Sequence, residues 1–574
     1  MRSTFAGLNT MVRGIQNNQL SLDTTGHNIT NASTEGYSRQ RVDSAATNYQ
    51  ERPSLYGGVY VGGGVDVVAL NRARNIYADK QYWSENSAQS LYQTYKTNYD
   101  KVESVFNDSK KTGILNAMQQ FYSAWVNLSD YASDAASRTA VLTKGNNLVD
   151  RIKTGARQLQ DQIAAQYEEM RTQVGKLNSI TDEIARLNKN IMLAETNGGK
   201  ANDLRDQRDL LVDKLSEITN INVYEEANGQ YTVVSNGMTL VQRDNRLTLE
   251  MSEPITNDRY GISDYTLRIK EAGGLGYVPQ AGILKALQDT IVQDKGYIDN
   301  LADISATLLT TFNDVHKLGA GIDTEATSWM NFFGRNNFKS KATGSTYSGE
   351  RYTWHVDPLT GDRWLTATGQ HVTRATAAGT TTVTTVDTSN AADIHEMRSM
   401  QIINALQVSD DLMAPGGQNL VAARKIDNAT MAPGGMGYSY AAADVNGTGD
   451  GTNAVELSKL FNIEQYDAAT NPSGAKNPLG TERPISTVSI NQYYNNIMSR
   501  LGSNAENIDK KLKQQDDLMT QIEQWRQSTS GVDWNEELTN MLKFQTGYGA
   551  CSRVLTSMDE MLDRLINSTG VVGR

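Results

Sequence analysis

Both ends of the chain carry apolar residues at heptad spacing, and a stripe of that kind has to be buried against a partner. Phe5, Leu8, Val12, Ile15, Leu22 and Ile29 step by three, four or seven residues, which places them on one helix face. Gln19 and Gly26 fill the remaining steps and weaken the seam. The run His27–Gln40 is rich in Asn, Ser and Thr and contains Gly36. It predicts the end of the helix, because these side chains bond the local backbone and glycine tolerates positive φ. At the other end Trp534, Leu538, Met541, Tyr548, Cys551, Leu555, Met558, Leu562 and Leu565 repeat by three, four or seven, interrupted at Gln545, Gly547 and Gly549. Asp533 is the expected N-cap, with Glu536 at the capping-box position. The two stripes are expected to pair with each other, with other copies of the chain, or both. The plainer alternative is an antiparallel helix pair closing one domain.

A chain of 574 residues accommodates three or four domains. Val141–Leu193 keeps helical apolar spacing from Val149 to Ile191, Gly198-Gly199 turns it, and Asp203–Ile218 returns. Gly282–Leu318 and Tyr493–Ser528 are further long stripes, and the second is expected beside Val141–Leu193. Arg205, Asp206, Arg208 and Asp209 alternate in sign and predict a solvated ion-pair face. Tyr92, Tyr95, Tyr99, Val102 and Phe106 fall at helical spacing with no basic residues between them, which predicts core rather than a base platform. Tyr56–Val67 predicts a Gly-rich hairpin and Asn220–Lys270 a small β patch. Gly334–Asp393 is rich in Thr, Ser and Gly, predicts an outer β insert, and is expected to be dispensable for assembly. The fold class is mainly α with inserted β regions: paired terminal helices as a coiled coil, a long-helix bundle body and an outer β domain. The division is 1–50 for an N-terminal assembly helix, 51–325 for helical body with a β patch at 220–270, 326–450 for the β-rich insert, 451–529 for the return of the body, and 530–574 for a C-terminal assembly helix.

Several chemistries are excluded on the residues. A net charge of −11 without a basic block argues against nucleic acid and against an anionic membrane. There is no apolar run long enough for a membrane span or a secretory signal, and composition alone points to the cytoplasm. Cys551 is the lone cysteine. His395-Glu396-Met397-Arg398-Ser399 has Ser where a zinc-protease motif needs its second His. Gly437-Tyr438-Ser439-Tyr440-Ala441 lacks the final Gly of a nucleophile elbow. The loop Asp444–Thr452 places oxygens as a calcium loop does, but position twelve is Val455 rather than Glu. No catalytic, cofactor-binding or metal-ligating residue is assigned, and no cofactor is expected.

Gly26–Ala32 with Gly36-Tyr37-Ser38-Arg39-Gln40 resembles the N-terminal signature of the flagellar rod, hook and hook-associated proteins. Ser530–Leu538 and Asp559–Asp563 resemble the C-terminal signature of the hook-associated branch. Asp203–Leu211 and Asn331-Phe332-Phe333-Gly334 resemble its internal passages, in the right order. The resemblance implies a structural subunit that joins hook to filament, not an enzyme. It implies residence in the extracellular flagellum, reached through the flagellar type III system without a cleaved signal peptide. The implied partners are the chain itself, the hook protein, a second hook–filament junction protein and an export chaperone, with no nucleic acid and no membrane. Phe5, Leu8, Val12, Ile15, Leu22, Ile29, Leu538, Met541, Leu555, Met558, Leu562 and Leu565 would form the assembly interface, and the termini are expected to become ordered only on assembly. The alternatives are another axial protein of hook or rod type, or an enzyme carried on the insert. The long helices and Asp203–Leu211 favour the hook-associated branch.

Overall fold

The computed structural model describes residues 6–47, 50–52, 59–106, 112–335, 346–377, 379–387, 394–431, 437–462, 482–486 and 488–568. Its helices are α1 (Ala6–Asn31), α2 (Ile76–Phe106), α3 (Ile114–Asp130), α4 (Ala135–Glu195), α5 (Asn202–Ile218), α6 (Gly282–Thr307), α7 (Asn313–Lys317), α8 (Ser399–Ala405), α9 (Asp410–Met413), α10 (Thr452–Asn462), α11 (Ile490–Ser530) and α12 (Trp534–Ser568). The architecture is mainly α, with a terminal helix pair, a long-helix body and several β sheets. Tyr56–Gly58 of the expected hairpin lies outside the described residues. The chain after α1 forms a two-stranded ribbon, Gln40–Ala46 against Val65–Arg72, with Gln50–Arg52 paired to Val59–Val61 beyond it.

The longest element is α4. Asp134 caps it by accepting the Ser137 N–H at 2.8 Å, and its row from Val141 to Ile191 is buried. Helices α3, α5 and α6 cover that row. Helix α11 therefore does not lie beside α4 as its sequence suggested; it packs along α2. The face of α4 is already occupied, whereas α2 offers a long free side. Lys96–Asp509 at 2.8 Å, Gln89 to Asp516 at 2.7 Å and Gln515 to Glu85 at 2.7 Å link the two helices. The aromatic row of α2 is core as expected: Tyr99, Val102 and Phe106 are buried.

The centre of the body is aromatic. Phe121, Trp125, Phe312, Phe332, Phe333 and Phe461 surround one another, with Phe332 and Phe333 4.8 Å apart. Helix α6 loosens into a π-helical turn, Leu308–Phe312, before α7. Asn313 Oδ1 then accepts the N–H groups of both Phe332 and Phe333 at 2.9 Å. His316 is wholly buried; its Nδ1 lies 2.8 Å from the Met330 carbonyl and its Nε2 accepts the Ala422 N–H at 3.0 Å. Burial pushes this ring down to about 4, so it is a neutral core histidine.

The outer sheet runs Thr346–Val356, Arg363–Ala377, Thr380–Asp387, Gly437–Ala441, Thr430–Met431, with Ile394–Met397 also on Arg363–Ala377. Strands from within and beyond 334–393 thus share one sheet. Its Tyr352, Trp354, Leu365, Val372 and Val383 join the core of the helical body. Arg363 Nη1 reaches Asp303 on α6 at 2.5 Å, and the Tyr493 hydroxyl donates to the same carboxylate at 2.7 Å. The segment is compositionally distinct but not physically detachable. Deleting 334–393 removes the strand that pairs Gly437–Ala441 and uncovers the Trp329–Tyr438 stack. The expected result is a lower melting temperature and binding of a hydrophobic dye by the purified variant.

Two buried carboxylates on α6 make a pH test. Asp294 accepts amides from Asn98, Gln162 and Gln166, and burial pushes both Asp294 and Asp303 up to about 6. A raised folded value favours the folded state at low pH, and that contribution is lost as pH rises from the ordinary carboxylate range through about 6. Relative to the native chain, Asp294→Asn should therefore gain stability between pH 4 and pH 7.5, on the order of 2 kcal/mol. Urea midpoints at the two pH values check this.

Candidate functional site

Helices α1 and α12 pair antiparallel in one register. Gly7 faces Met558, Gly14 faces Cys551, Gly547 faces Asn18, and Asn28 bonds Glu537. On α1 the row at the contact is Gly7, Gly14, Ser21, Asn28, seven residues apart; Met558, Cys551, Phe544 and Glu537 run opposite. A Cβ on Gly14 would stand 3.1 Å from the Cys551 Sγ. The glycines at 7, 14 and 547 therefore do not interrupt the seam; they let the two backbones approach. The polar side of α1 is covered by the ribbon, through Arg13–Asp66 at 2.7 Å and Ser44 to Asn17 at 2.5 Å.

The predicted apolar stripes flank this seam, except that Cys551 and Met558 of the second stripe lie in it. Leu8, Val12, Ile15, Leu22 and Ile29 are half-buried, as are Met541, Leu555, Met558 and Leu562. Leu538 is 47% exposed. Leu565 belongs to α12, and Phe5 lies outside the described residues. Leu8, Ile15, Leu22 and Ile29 each follow a seam residue by one position, roughly 100° around α1. Met541, Tyr548, Leu555 and Leu562 each follow one by four, roughly 40° around α12. In an antiparallel pair, rotations of one sense turn toward one flank, so the two stripes share a single side of the pair, opposite the ribbon.

At its base the pair is joined to the body. Gly36 turns the chain at φ +79°, and a Cβ there would stand 3.0 Å from Leu210. The turn returns Tyr37–Gln40 over the end of α1. Asn28 Nδ2 donates to the Gln40 carbonyl at 2.8 Å and to Glu537 at 3.1 Å; its Oδ1 accepts the Gln40 N–H at 2.9 Å and the Tyr37 hydroxyl at 2.8 Å. Arg39 reaches Glu537 and Glu536, each at 2.7 Å, and its N–H donates to the Ser530 carbonyl at 2.9 Å. Ser38 N–H donates to Asp206 at 2.9 Å, and Gln40 Nε2 to Asp203 at 2.8 Å.

Beneath these bonds lies a cluster of buried charge, where the solvated face was expected. Arg205, Asp206, Arg208 and Asp209 are all buried. Arg72 Nη1 contacts Asp206 at 2.6 Å and Asp209 at 2.8 Å; Arg74 contacts Asp209 at 2.9 Å and Asp79 at 2.7 Å. Arg526 closes the cluster on Asp79 and Asp213. Arg205 pairs with Glu195 and Glu225, and Arg208 lies 3.4 Å over the Tyr231 ring. Burial alone would raise the Asp209 carboxyl, but Arg74 and Arg72 hold it below the usual range. For Asp206 and Asp213 burial prevails and both are raised. The overlooked signal is spacing: Asp206, Asp209 and Asp213 step by three and four. Like charges on one helix face need cations from elsewhere in the fold.

The residues of the rejected motifs sit on strands and in hydrogen-bonded turns. His395 is on a strand, as is Gly437–Ala441. Asp450 is occupied by the Lys425 N–H and the Thr452 hydroxyl, and Asp444 by the Ala441 N–H. No group of three or more metal-ligating side chains occurs among the described residues, and no helix there is long and apolar enough to cross a membrane.

The joint is thus built from three passages far apart in sequence: 26–40, 203–211 and 530–538. Residues 99–333 match the family described as Flagellar hook-associated protein FlgK helical domain, and residues 524–568 match Flagellar basal body rod FlgEFG protein C-terminal. Over 605 aligned residues the chain is 25% identical to Flagellar hook-associated protein 1 of Bacillus subtilis (strain 168), covering all of both chains. The chain resembles the FlgK family along its whole length. Flagellar hook-associated protein 1 of Salmonella typhimurium is also 25% identical, over 98% of this chain and 99% of its own length. The flagellar hook junction protein FlgK from Burkholderia pseudomallei shares the fold, with a TM-score of 0.55 and 17% identity over 79% of this chain and 100% of its own. The chain is accordingly a flagellar structural protein.

Asn28 is the test of the joint. Asn28→Ala strands the Gln40 N–H and carbonyl and should cost roughly 2 kcal/mol in urea unfolding. Asn28→Asp sets a carboxylate against buried Glu537. It should cost more at pH 7 and recover as pH falls through the carboxylate range.

Proposed function

We propose that this FlgK-like chain is a subunit joining hook to filament, and that it self-assembles through the terminal helix pair. The observation that carries the reading is the half-buried apolar flank. The seam inside one chain uses the row Gly7, Gly14, Ser21, Asn28, which leaves the first stripe, with Met541, Leu555 and Leu562 of the second, beside it. Burial against a neighbouring copy at ~25 cal/mol per Å² of apolar surface drives polymerisation without covalent chemistry or nucleotide. The proposed partners are further copies, the hook protein on one side, a second junction protein on the other, and an export chaperone before assembly. The proposed location is the extracellular flagellum, reached in unfolded form through the flagellar type III route. The divisions 1–50, 51–325, 326–450, 451–529 and 530–574 are proposed as its functional parts; the turn at Gly531 between α11 and α12 supports the last boundary. A rod- or hook-type axial role is the second reading, favoured by the rod-protein match over 524–568.

Leu555→Lys and Leu562→Lys should leave the melting temperature of the monomer nearly unchanged, because both positions are already half in water. They should abolish polymer, because charge buried between copies costs several kcal/mol. Calorimetry and sedimentation on the same purified variants decide it. Polymer formed by both variants at native yield would sink the proposal.

A further inference from the structure

The chain pairs Asn with Gly at four positions: Asn197-Gly198, Asn228-Gly229, Asn236-Gly237 and Asn446-Gly447. In this dipeptide an asparagine side chain is most open to attack by its own backbone, because glycine presents the next nitrogen with no Cβ to block the approach. The attack also needs a side chain free to swing onto that nitrogen. By sequence the four pairs are alike; in the folded chain they are not.

Three of the four asparagines are held. Asn228 donates from Nδ2 to Gln230 Oε1 at 2.8 Å and accepts the Gln230 N–H on Oδ1 at 3.1 Å. Asn236 sits in a hairpin turn at φ +46°, donates to the Val278 carbonyl at 2.7 Å and accepts from Gln280 Nε2 at 2.5 Å. Asn446 donates from Nδ2 to Asp450 at 3.2 Å, its N–H donates to the Lys425 carbonyl at 3.2 Å, and its own carbonyl accepts from Arg424 at 3.3 Å. Asn197 differs from all of them. It is exposed in the turn between α4 and α5, and its side chain makes no hydrogen bond among the described residues. The Gly198 N–H donates to the Glu195 carbonyl at 2.9 Å, a bond at the end of a helix, where local opening costs little free energy. The Gly229 N–H is held in the same way by the Glu226 carbonyl at 2.9 Å, so the freedom of the side chain is what separates the two sites.

We infer that Asn197 is a site of spontaneous backbone modification, converting to isoaspartate and aspartate while the other three pairs of the folded chain stay intact. The Gly198 nitrogen attacks Asn197 Cγ, the Cγ–Nδ2 bond breaks, and ammonia leaves with the proton of the Gly198 N–H. Water then opens the cyclic imide, at the backbone carbonyl to give isoaspartate or at Cγ to give aspartate. Nothing is oxidised or reduced, and water is the only co-reactant. Either product sets a carboxylate at the C-terminal end of α4, where the helix dipole disfavours it. Close by is Glu195, whose Oε1 accepts the Ala201 N–H at 3.0 Å and Arg205 Nε at 2.6 Å. Isoaspartate also lengthens the backbone of the turn that delivers α5, with Asp206 and Asp209, to the joint.

The experiment follows the native full-length chain in warm, mildly alkaline buffer, folded and in guanidinium chloride. Digestion at intervals and mass spectrometry read each Asn-Gly peptide by the mass change when ammonia is exchanged for water. In guanidinium chloride, where all four side chains are free, the four should convert at comparable rates. In the folded chain Asn197 should keep most of that rate, and the other three should slow several-fold. Asn197→Gln should remove the fast conversion and leave the other three peptides unchanged. Conversion of Asn228, Asn236 or Asn446 ahead of Asn197 in the folded chain overturns the inference, as does an Asn197 that folding protects as strongly as it protects them.

Discussion

Asp209 can be buried only because Arg72 and Arg74 come to it, and much of the molecule is arranged by that requirement. It is 1% exposed, deep enough that an unpaired carboxylate would take up a proton or unfold its surroundings. Arg72 ends the ribbon, Arg74 leads into α2, and Asp209 sits on α5. Satisfying one charge therefore fixes three elements. Through Asp79 and Asp213 the same cluster holds Arg526 near the end of α11, from which α12 departs. The base of the terminal pair is set by electrostatics before any apolar contact along its length is counted.

Along the pair a different rule applies. Seven-residue spacing defines several rows on a helix, not one. The row that closes the seam is made of small and polar residues, Gly7, Gly14, Ser21 and Asn28. The row one position further on is apolar and remains half in water. A helix pair built for maximal stability as a monomer would place the leucines and isoleucines at the contact. Here close backbone approach takes that place, and the apolar row remains available at the surface.

The long elements were legible in the sequence because apolar periodicity over many turns leaves little choice. The spans Val141–Leu193 and Tyr493–Ser528 fell inside α4 and α11. What periodicity did not carry was which helix lies beside which: α11 chose α2 because α4 was already covered, a fact of packing that no single stripe contains. Charge was misread for a related reason. Alternating signs at 205–209 satisfy a rule for isolated helices, but Arg72 and Arg74 lie more than a hundred positions away. In the terminal pair both stripes were visible, yet their role within one chain was displaced by one row, because glycine reads as a defect unless the partner surface is known. The insert shows the reverse limit: its composition is separate, its sheet is shared.

Glu537 is made 509 residues after Asn28, the side chain it contacts. At a synthesis rate of about 5–20 residues per second, that interval is on the order of a minute. For all of it the N-terminal helix lacks the partner that fills its seam and the carboxylate that completes its joint. A helix draws most of its stability in a protein from the packing of one face, which this one lacks until then. The joint therefore reports that synthesis has passed Glu537, and a chain truncated before that residue keeps its first helix open.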